Sequence, residues 1–240
     1  MTISGLIFAG GTGTRMNTKT LPKQFLELHG KPIIIHTLEH FEKNPQIEDI
    51  VVVCVDGWID YLKDLLIKFH IKKVKDIVSG GETGQMSIFN GLAALRKTHQ
   101  KEDDYVLIHD GVRPLIDQEL INKNISTVKT FGTAITVKPV IETVIQVDDE
   151  NIIKNVIDRT SCQTAVAPQT FPLNKIYDLH LKAQDKGLFD MTDSATLARH
   201  FGLSLHTVMG GSENIKITTP SDFYIFRAIY EARENQQIFG

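Results

Sequence analysis

The stretch IFAGGTGTRMNTKTLPKQF, residues 7–25, decides how we interpret this chain. It starts inside an apolar run, passes through a glycine-rich turn and ends in PKQF. A strand that ends in such a turn can bring backbone N–H groups close to a ligand, which is how glycine-rich loops bind phosphate. Arg15 and Lys23 follow, and these separated cations suit a polyphosphate. The stretch predicts a nucleotide loop, and the alternative is a tight turn with surface cations.

The two common nucleotide-binding fingerprints do not match this loop. The dinucleotide pattern G-x-G-x-x-G would need glycine where Met16 stands, and no Walker lysine with Ser or Thr follows the glycines. An NAD-linked dehydrogenase therefore ranks last among the functions that fit the architecture.

Short apolar segments alternate with amphipathic ones along the chain. The predicted strands, most of them rich in Val and Ile, are 4–9, 49–55, 73–78, 105–109, 134–137 and 203–209. Segments 32–41, 58–69 and 85–96 carry helical periodicity, and a last helix is predicted after Thr219 as cap, with Pro220 in first position and Asp222 three after the cap. This order predicts an α/β fold with a Rossmann-like, mostly parallel sheet in one domain, 1–240.

One section departs from this alternation of strands and helices. Residues 139–168 carry alternating β-branched side chains around a polar turn at 148–151, which predicts a hairpin rather than another crossover unit. An isolated two-stranded ribbon is marginally stable in water, so we expect this arm to pack against a second subunit in a homodimer.

Composition favours a small-molecule partner. The chain has 240 residues, 42% of them hydrophobic, and a formal net charge of −3, which argues against nucleic-acid binding. Its two cysteines, Cys54 and Cys162, are too few for a disulfide framework or a zinc site. We find no export signal or apolar stretch long enough for a membrane span, so we expect a cytoplasmic protein that does not bind membranes.

Nine motifs together resemble one family nearly end to end. They are AGGTGTRM, LPKQFLEL, KPIIIHTLEHF, GGETGQMSIFNGL, IHDGVRP, IDR, APQTF, MTDSA and NIKITTP. In this order they resemble the CTP-dependent polyol-phosphate cytidylyltransferases. The resemblance implies a fold of the nucleotide-diphospho-sugar transferase type and attack of a polyol phosphate on the α-phosphorus of CTP, with release of pyrophosphate.

The resemblance also implies roles for individual residues. Arg15, Lys23 and Lys216 match catalytic residues that bind the phosphates of CTP. Asp110 matches the acid beside the ribose and a divalent cation, Mg²⁺ or another, for which one hard carboxylate beside the phosphates is a suitable ligand. The family's nucleotide site corresponds to Ala9, Gly10, Gly11, Gly13, Gly80, Gly81, Glu82, Ser87 and Asp110. Plainer alternatives are a surface charge for each of the three cations, a turn cap for Asp110 and a helix cap for Ser87.

The acceptor site of the family corresponds to Arg113, Thr143, Arg159, Thr192 and Asp193. The resemblance implies that Thr143 and Arg159 reach from the arm of one subunit into the active site of the other. Thr192 is also a plausible helix N-cap. The chain departs from the family near Gly84 and Gln85, where relatives usually carry an arginine. This departure leaves open the alternative that the protein is a CTP-binding module without turnover.

The family has two branches that differ in the acceptor. The AGG of the first loop, LPKQFLEL, the region of Trp58 and NIKITTP are closer to the enzymes that act on D-ribitol 5-phosphate. HDGVRP departs from that branch, which usually has serine after HD. Ribitol 5-phosphate is therefore the expected acceptor, and 2-C-methyl-D-erythritol 4-phosphate, used in isoprenoid synthesis, is the alternative.

Overall fold

The predicted mostly parallel sheet forms in the computed structural model, which describes residues 1–11 and 21–239. The strands are β1 (Ile3–Ala9), β2 (Glu27–Leu28), β3 (Lys31–Pro32), β4 (Asp49–Cys54), β5 (Val74–Ser79), β6 (Tyr105–Asp110), β7 (Ala134–Pro139), β8 (Val144–Val147), β9 (Ile153–Ile157), β10 (Gln163–Pro172) and β11 (Thr207–Met209). The helices are α1 (Ile33–Lys43), α2 (Ile59–Lys68), α3 (Gly84–Arg96), α4 (Gln118–Phe131), α5 (Leu173–Asp185), α6 (Ser194–His200) and α7 (Pro220–Phe239).

The main sheet has the strand order β11-β7-β10-β6-β1-β4-β5. The strands β4 and β6 both pair with β1 in parallel, one on each side. Along the chain, β4 and then β5 are therefore added on one side of β1, and β6 is the first strand to be added on its other side. A ligand in such a sheet binds beyond the carboxyl ends of the strands at this reversal, which here means the residues that follow β1 and β6.

Helices cover both faces of the sheet because successive side chains of a buried strand point to opposite sides. Along β1, Leu6 packs with the core around α3, α5 and α6, whereas Ile7 packs with the core around α1, α2 and α4. Phe226 of α7 closes a third, smaller cluster over Leu28 and Ile33. No helix within residues 1–11 and 21–239 combines the length and the apolar character that crossing a membrane requires.

The strand β10 runs antiparallel between β6 and β7 in the main sheet, whereas the sequence predicted only an arm up to residue 168 and no strand of the main sheet there. Its sequence, QTAVAPQTFP, contains Pro168 and Pro172, which is unusual for a central strand because proline has no N–H to donate. The pairing with β7 shifts register between Ala165 and Gln169, so Pro168 lies in the irregular part of the ladder. The predicted arm, residues 139–168, therefore overlaps the main sheet from Gln163 onward.

The remaining part of that segment forms a separate two-stranded antiparallel ribbon, β8 with β9, joined by a turn at 148–152. Asp148 stabilises the turn, since its carboxylate accepts hydrogen bonds from the backbone N–H groups of Glu150 and Ile152. We call residues 140–162 the ribbon segment. Its role in dimerisation stays a prediction.

The caps show where the sequence prediction was accurate and where it was not. Thr219, Pro220 and Asp222 begin α7 as predicted, with the Asp222 carboxylate 2.7 Å from the Thr219 backbone N. The strand predicted at 203–209 begins only at Thr207, because the N–H of Leu203 is used to close the end of α6 on the carbonyl of Ala198. The helices α4, α5 and α6 lie outside the segments with predicted helical periodicity.

Candidate active site

Glycines of two separate segments meet at the end of β1. A Cβ on Gly10 would lie 3.3 Å from the Cα of Gly80 and 3.4 Å from the Oγ of Ser87, so a side chain there would push the two segments apart. Ala9 ends β1 and Gly11 follows, and no described residue beyond its chain neighbours lies within 4 Å of a Cβ built on Gly11. Gly13 and Arg15, predicted to bind phosphate, lie outside the described residues. The described glycines bring the two predicted parts of the nucleotide site together.

The PKQF segment is attached to the first loop by a buried glutamine. Lys23, Gln24 and Phe25 form a short 3₁₀ turn, and the Gln24 Nε2 donates to the carbonyl oxygen of Ala9 at 2.7 Å. Phe25 is fully buried and stacks on Trp58, with ring centroids 5.3 Å apart. Lys23 is therefore fixed next to the end of β1 by the residues that follow it.

The second turn, Gly80 to Thr83, leads into α3. Thr83 is the N-cap, and its side chain accepts from the backbone N of Met86. Ser87 is not the cap: its Oγ accepts from the N of Gly81 at 2.8 Å and donates to the carbonyl of Thr83 at 2.9 Å. Glu82 is exposed. The Ser87 hydroxyl thus holds the shape of the turn.

Asp110, at the carboxyl end of β6, forms ion pairs with two cations. Its carboxylate lies 2.7 Å from the Lys216 Nζ and 2.8 Å from the Arg113 Nε. Burial alone would raise the pKa of Asp110, but Lys216 and Arg113 outweigh it and lower the pKa to about 2. Arg113 also donates to the carbonyl of Asn214 at 2.9 Å, which ties the segment before α7 to this strand end.

Two further basic residues adjoin this cluster, and they differ in chemistry. Burial lowers the pKa of His109 to about 3, so the ring is neutral, and its Nε2 lies 3.2 Å from the carbonyl oxygen of Arg113. His109 is therefore a packed histidine rather than an acid or base. Lys138 was not predicted. Burial and the nearby charge of Arg113 lower its pKa, and its Nζ donates to Ser212.

The predicted acceptor pair lies on a loop that side-chain amides hold in place. Asp193, not Thr192, is the N-cap of α6, with its carboxylate 2.7 Å from the N of Thr196. Gln169 of β10 donates to Asp193 at 2.8 Å. Gln85 of α3 donates to the carbonyl of Leu188 at 2.7 Å and accepts from the N of Met191 at 2.8 Å. We call residues 188–193 the acceptor loop.

A pocket of about 230 Å³ joins these groups. Asp110, Arg113 and Lys216 line it at the strand end, and Thr192 and Asp193 line it on the acceptor loop. Thr143 and Arg159 are exposed on the ribbon segment and do not line it, and Arg159 donates to the carbonyl of Ile141. One chain therefore brings together part of the predicted acceptor site, and the ribbon residues remain apart.

The described residues could hold a divalent cation only if a bound substrate supplied some of its ligands. They contain no group of three or more His, Cys, Asp or Glu side chains that could hold a metal ion. Asp110 is the carboxylate at the strand end, and each of its oxygens already pairs with a cation. A Mg²⁺ ion, which prefers one or two carboxylates with phosphates and water, fits such a position when a nucleotide supplies the remaining ligands.

The glutamines Gln24, Gln85 and Gln169 connect the parts of this site, and sequence reasoning missed their roles. Each is almost fully buried. A glutamine in a sequence does not by itself indicate a structural role. The signal that could have pointed to these three is their position in the motifs PKQF, GGETGQMS and APQTF.

Replacement of Gln85 by leucine should loosen the acceptor loop. The change removes two hydrogen bonds at nearly constant volume, so we expect a loss of about 1–2 kcal/mol in the free energy of unfolding. The amide of Met191 should exchange faster with deuterium. Gln184→Leu is the matched control, because the Gln184 Nε2 is buried without a hydrogen-bond partner in the described part of the chain. Equal stability of both variants would contradict the role given to Gln85.

The ion pairs of Asp110 should make stability depend on pH in the acid range. Because its folded pKa is about 2 and the ordinary value is 3.8, the carboxylate stabilises the fold above pH 4 and loses this effect as the pH falls to 2. The contribution is about 2 kcal/mol. Asp110→Asn should therefore flatten the free energy of unfolding between pH 4 and 2, measured by denaturant titration. The exposed Asp185→Asn should keep the wild-type slope, and an unchanged slope in Asp110→Asn would refute the assignment.

Comparison with known proteins agrees with this arrangement. The family model described as IspD, 2-C-methyl-D-erythritol 4-phosphate cytidylyltransferase, matches residues 3–232. A ribitol-5-phosphate cytidylyltransferase from Vibrio parahaemolyticus is 54% identical over 98% of both chains. One from Streptococcus agalactiae is 53% identical, again over 98% of both.

More distant relatives are named for the methylerythritol phosphate instead of ribitol 5-phosphate. A 2-C-methyl-D-erythritol 4-phosphate cytidylyltransferase from Clostridium novyi is 35% identical over 94% of this chain and 95% of its own. The crystal structure of 4-diphosphocytidyl-2C-methyl-D-erythritol synthase from Anaerococcus prevotii superposes with a TM-score of 0.82, at 29% identity and 96% coverage of both chains. With its sheet, its glycine-rich turns and its matched sequence, the chain belongs to the IspD family of cytidylyltransferases, which are nucleotidyltransferases.

Proposed function

We propose that this protein transfers CMP from CTP to D-ribitol 5-phosphate, giving CDP-ribitol and pyrophosphate. The observation that carries the choice of acceptor is the 54% identity, over 98% of both chains, to a ribitol-5-phosphate cytidylyltransferase, against 35% for a relative named for the methylerythritol phosphate. The AGG of the first loop supports the same branch. The pocket supports a phosphorylated acceptor, because cations line its strand end.

The chemistry asks the protein for positioning and charge rather than for a base. The acceptor phosphate is already ionised and can attack the α-phosphorus directly, so the main obstacle is to bring two anions together. Lys216 and Arg113 lie at the carboxyl ends of the strands, held by Asp110. In the proposal, Lys216 stabilises charge at the α-phosphate while Arg113 orients the acceptor.

The first loop has the complementary task. Arg15 and Lys23 bind the β- and γ-phosphates and stabilise the departing pyrophosphate, and the turn at Gly80, Gly81, Glu82 and Ser87 surrounds the cytosine. Asp110 is the proposed protein ligand of Mg²⁺. When bound there, the cation would neutralise charge on the triphosphate and on the leaving pyrophosphate.

A coupled pyrophosphate-release assay tests the proposed reaction. We expect turnover with CTP, Mg²⁺ and ribitol 5-phosphate, and a value of kcat/KM at least about tenfold lower for 2-C-methyl-D-erythritol 4-phosphate, since one differently placed polar group commonly changes discrimination by that much. Lys216→Ala should lower kcat by about 100-fold or more, as losses of charge-stabilising groups do. Preference for the methylerythritol phosphate would reverse the choice of acceptor, and CTP binding without pyrophosphate release would indicate a binding module.

The ribbon segment supports a dimer with shared active sites. Ile141, Ile152, Ile153 and Val156 are more than half exposed in the single chain, although they are large and apolar. Several large exposed apolar side chains on one short ribbon are typical of an interface. We propose that a second copy covers it, and that Thr143 and Arg159 of each subunit thereby approach the acceptor phosphate of the other.

Mixed dimers of inactive variants test the shared site. In a dimer of Lys23→Ala with Arg159→Ala, one site carries both changes and the other carries neither. Random mixing should therefore restore about one quarter of wild-type activity, by two-fold symmetry. Lys23→Ala mixed with Lys216→Ala is the control, because both changes affect the same subunit's share of a site and every mixed dimer keeps two damaged sites. No recovery in heterodimers purified through two different tags would exclude sharing.

A further inference from the structure

The inner part of the pocket contains polar atoms that the chain itself does not satisfy. His180 of α5 lines the pocket and is 1% exposed, and neither its Nδ1 nor its Nε2 has a hydrogen-bond partner among the residues the structure describes. Ser194, at the start of α6, lines the same pocket and is 2% exposed, and its Oγ is likewise without a described partner. Buried polar groups are rarely left this way, so these three atoms need an explanation.

Most other buried polar side chains of the pocket are already engaged, and Thr192, which also lines it, is exposed. The amides of Gln85 and Gln169 each make two hydrogen bonds, to the acceptor loop and to the start of α6. Asp193 accepts from Gln169 and from the N of Thr196. The Nδ1 of His109 also lacks a described partner, but this ring packs against Phe41 of α1, on the other face of the sheet from α5. His180 and Ser194 are therefore the buried side chains near the acceptor loop whose polar atoms have no partner among the described residues.

Charge divides the pocket into two parts. The cations that line it, Arg113 and Lys216, lie at the strand end. Burial lowers the pKa of His180 to about 4, so its ring is neutral at physiological pH, with one nitrogen as donor and the other as acceptor. The Ser194 hydroxyl can do both. Neither residue carries a positive charge that would attract an anion to this inner part. A hydroxyl group, which is both donor and acceptor, can hydrogen-bond to both residues.

We propose that His180 and Ser194 form a subsite for the hydroxyl groups of the polyol acceptor, with the acceptor phosphate held at the strand end. This inference rests on the proposed function, since it assumes a polyol phosphate as substrate. A volume of about 230 Å³ lies below the range of roughly 300–1,000 Å³ for pockets that hold drug-sized ligands, which suits a small, flexible polyol. Met191 is half-buried in the same lining, and its unbranched side chain can move aside for a ligand.

The subsite makes the choice of acceptor depend on hydroxyl groups. A site that hydrogen-bonds a substrate hydroxyl rejects an analogue without it far more strongly than an apolar pocket does, because its own polar atoms then stay unpaired. Ribitol 5-phosphate has four hydroxyl groups in an unbranched chain, and the methylerythritol phosphate replaces part of that pattern with a methyl branch. His180 and Ser194 would thus distinguish the two acceptors.

Two single substitutions separate ligand binding from a merely structural role. His180→Phe keeps a ring beside Phe89, on which His180 stacks, and Ser194→Ala removes only the hydroxyl. We expect each to raise the KM for ribitol 5-phosphate by about 5- to 20-fold while the KM for CTP changes less than about twofold, as loss of one hydrogen bond implies. Each should also raise Tm, because an unsatisfied buried group is removed. His200→Phe, an exposed change on α6, is the control and should alter neither value.

The outcomes are distinguishable. If the wild type does not turn over ribitol 5-phosphate, the proposed function fails. If the wild type is active and both variants gain stability with an unchanged acceptor KM, the inner pocket is a packing defect or a water site and the inference is overturned. Should His180→Phe fail to fold, Ser194→Ala decides alone. Calorimetric titration of ribitol 5-phosphate into the wild type and Ser194→Ala gives the same comparison without turnover, and equal affinity would also overturn the inference.

Discussion

The site depends on one buried carboxylate that holds two cations. Asp110 lies at the end of β6, Arg113 belongs to the turn after it, and Lys216 comes from a segment more than 100 positions later in the chain. Without Asp110 the two cations would repel each other and the segment before α7 would lose its attachment. With it, they stay close together at the point where the sheet reverses direction, which is where a phosphate can approach both. The same carboxylate thereby links the fold and the proposed chemistry.

Much of this arrangement follows from local sequence. The strands β1, β4 and β6 are short runs of Val, Ile and Leu whose buried character is visible without a structure, and a parallel sheet places their carboxyl ends together. The predicted position of Asp110 and Arg113 at a strand end needed only that rule. The capping residues of α7 were likewise visible, because the interaction of Thr219 with Asp222 spans three residues.

What the sequence did not reveal depends on contacts between distant residues. Gln85 and Met191 are 106 positions apart, and nothing in either neighbourhood indicates that they meet. The strand β10 was hidden for a different reason, because its prolines argue against a central strand unless the ladder is known to be irregular at that place. Ser87 and Thr192 were plausible caps by residue type, but Thr83 and Asp193 occupy those positions, which residue type alone could not decide.

The connections of the site are made largely by uncharged amides, whereas its proposed ligand contacts are made by charges. Gln24, Gln85, Gln169 and Asn214 join the loops through neutral hydrogen bonds to backbone atoms. Neutral hydrogen bonds between buried groups respond little to ionic strength, while attraction between exposed cations and a phosphate is screened within about 10 Å at 0.1 M salt. The protein should therefore keep the shape of its pocket in concentrated salt and lose mainly its attraction for anions, so that salt acts on substrate capture and leaves the architecture intact.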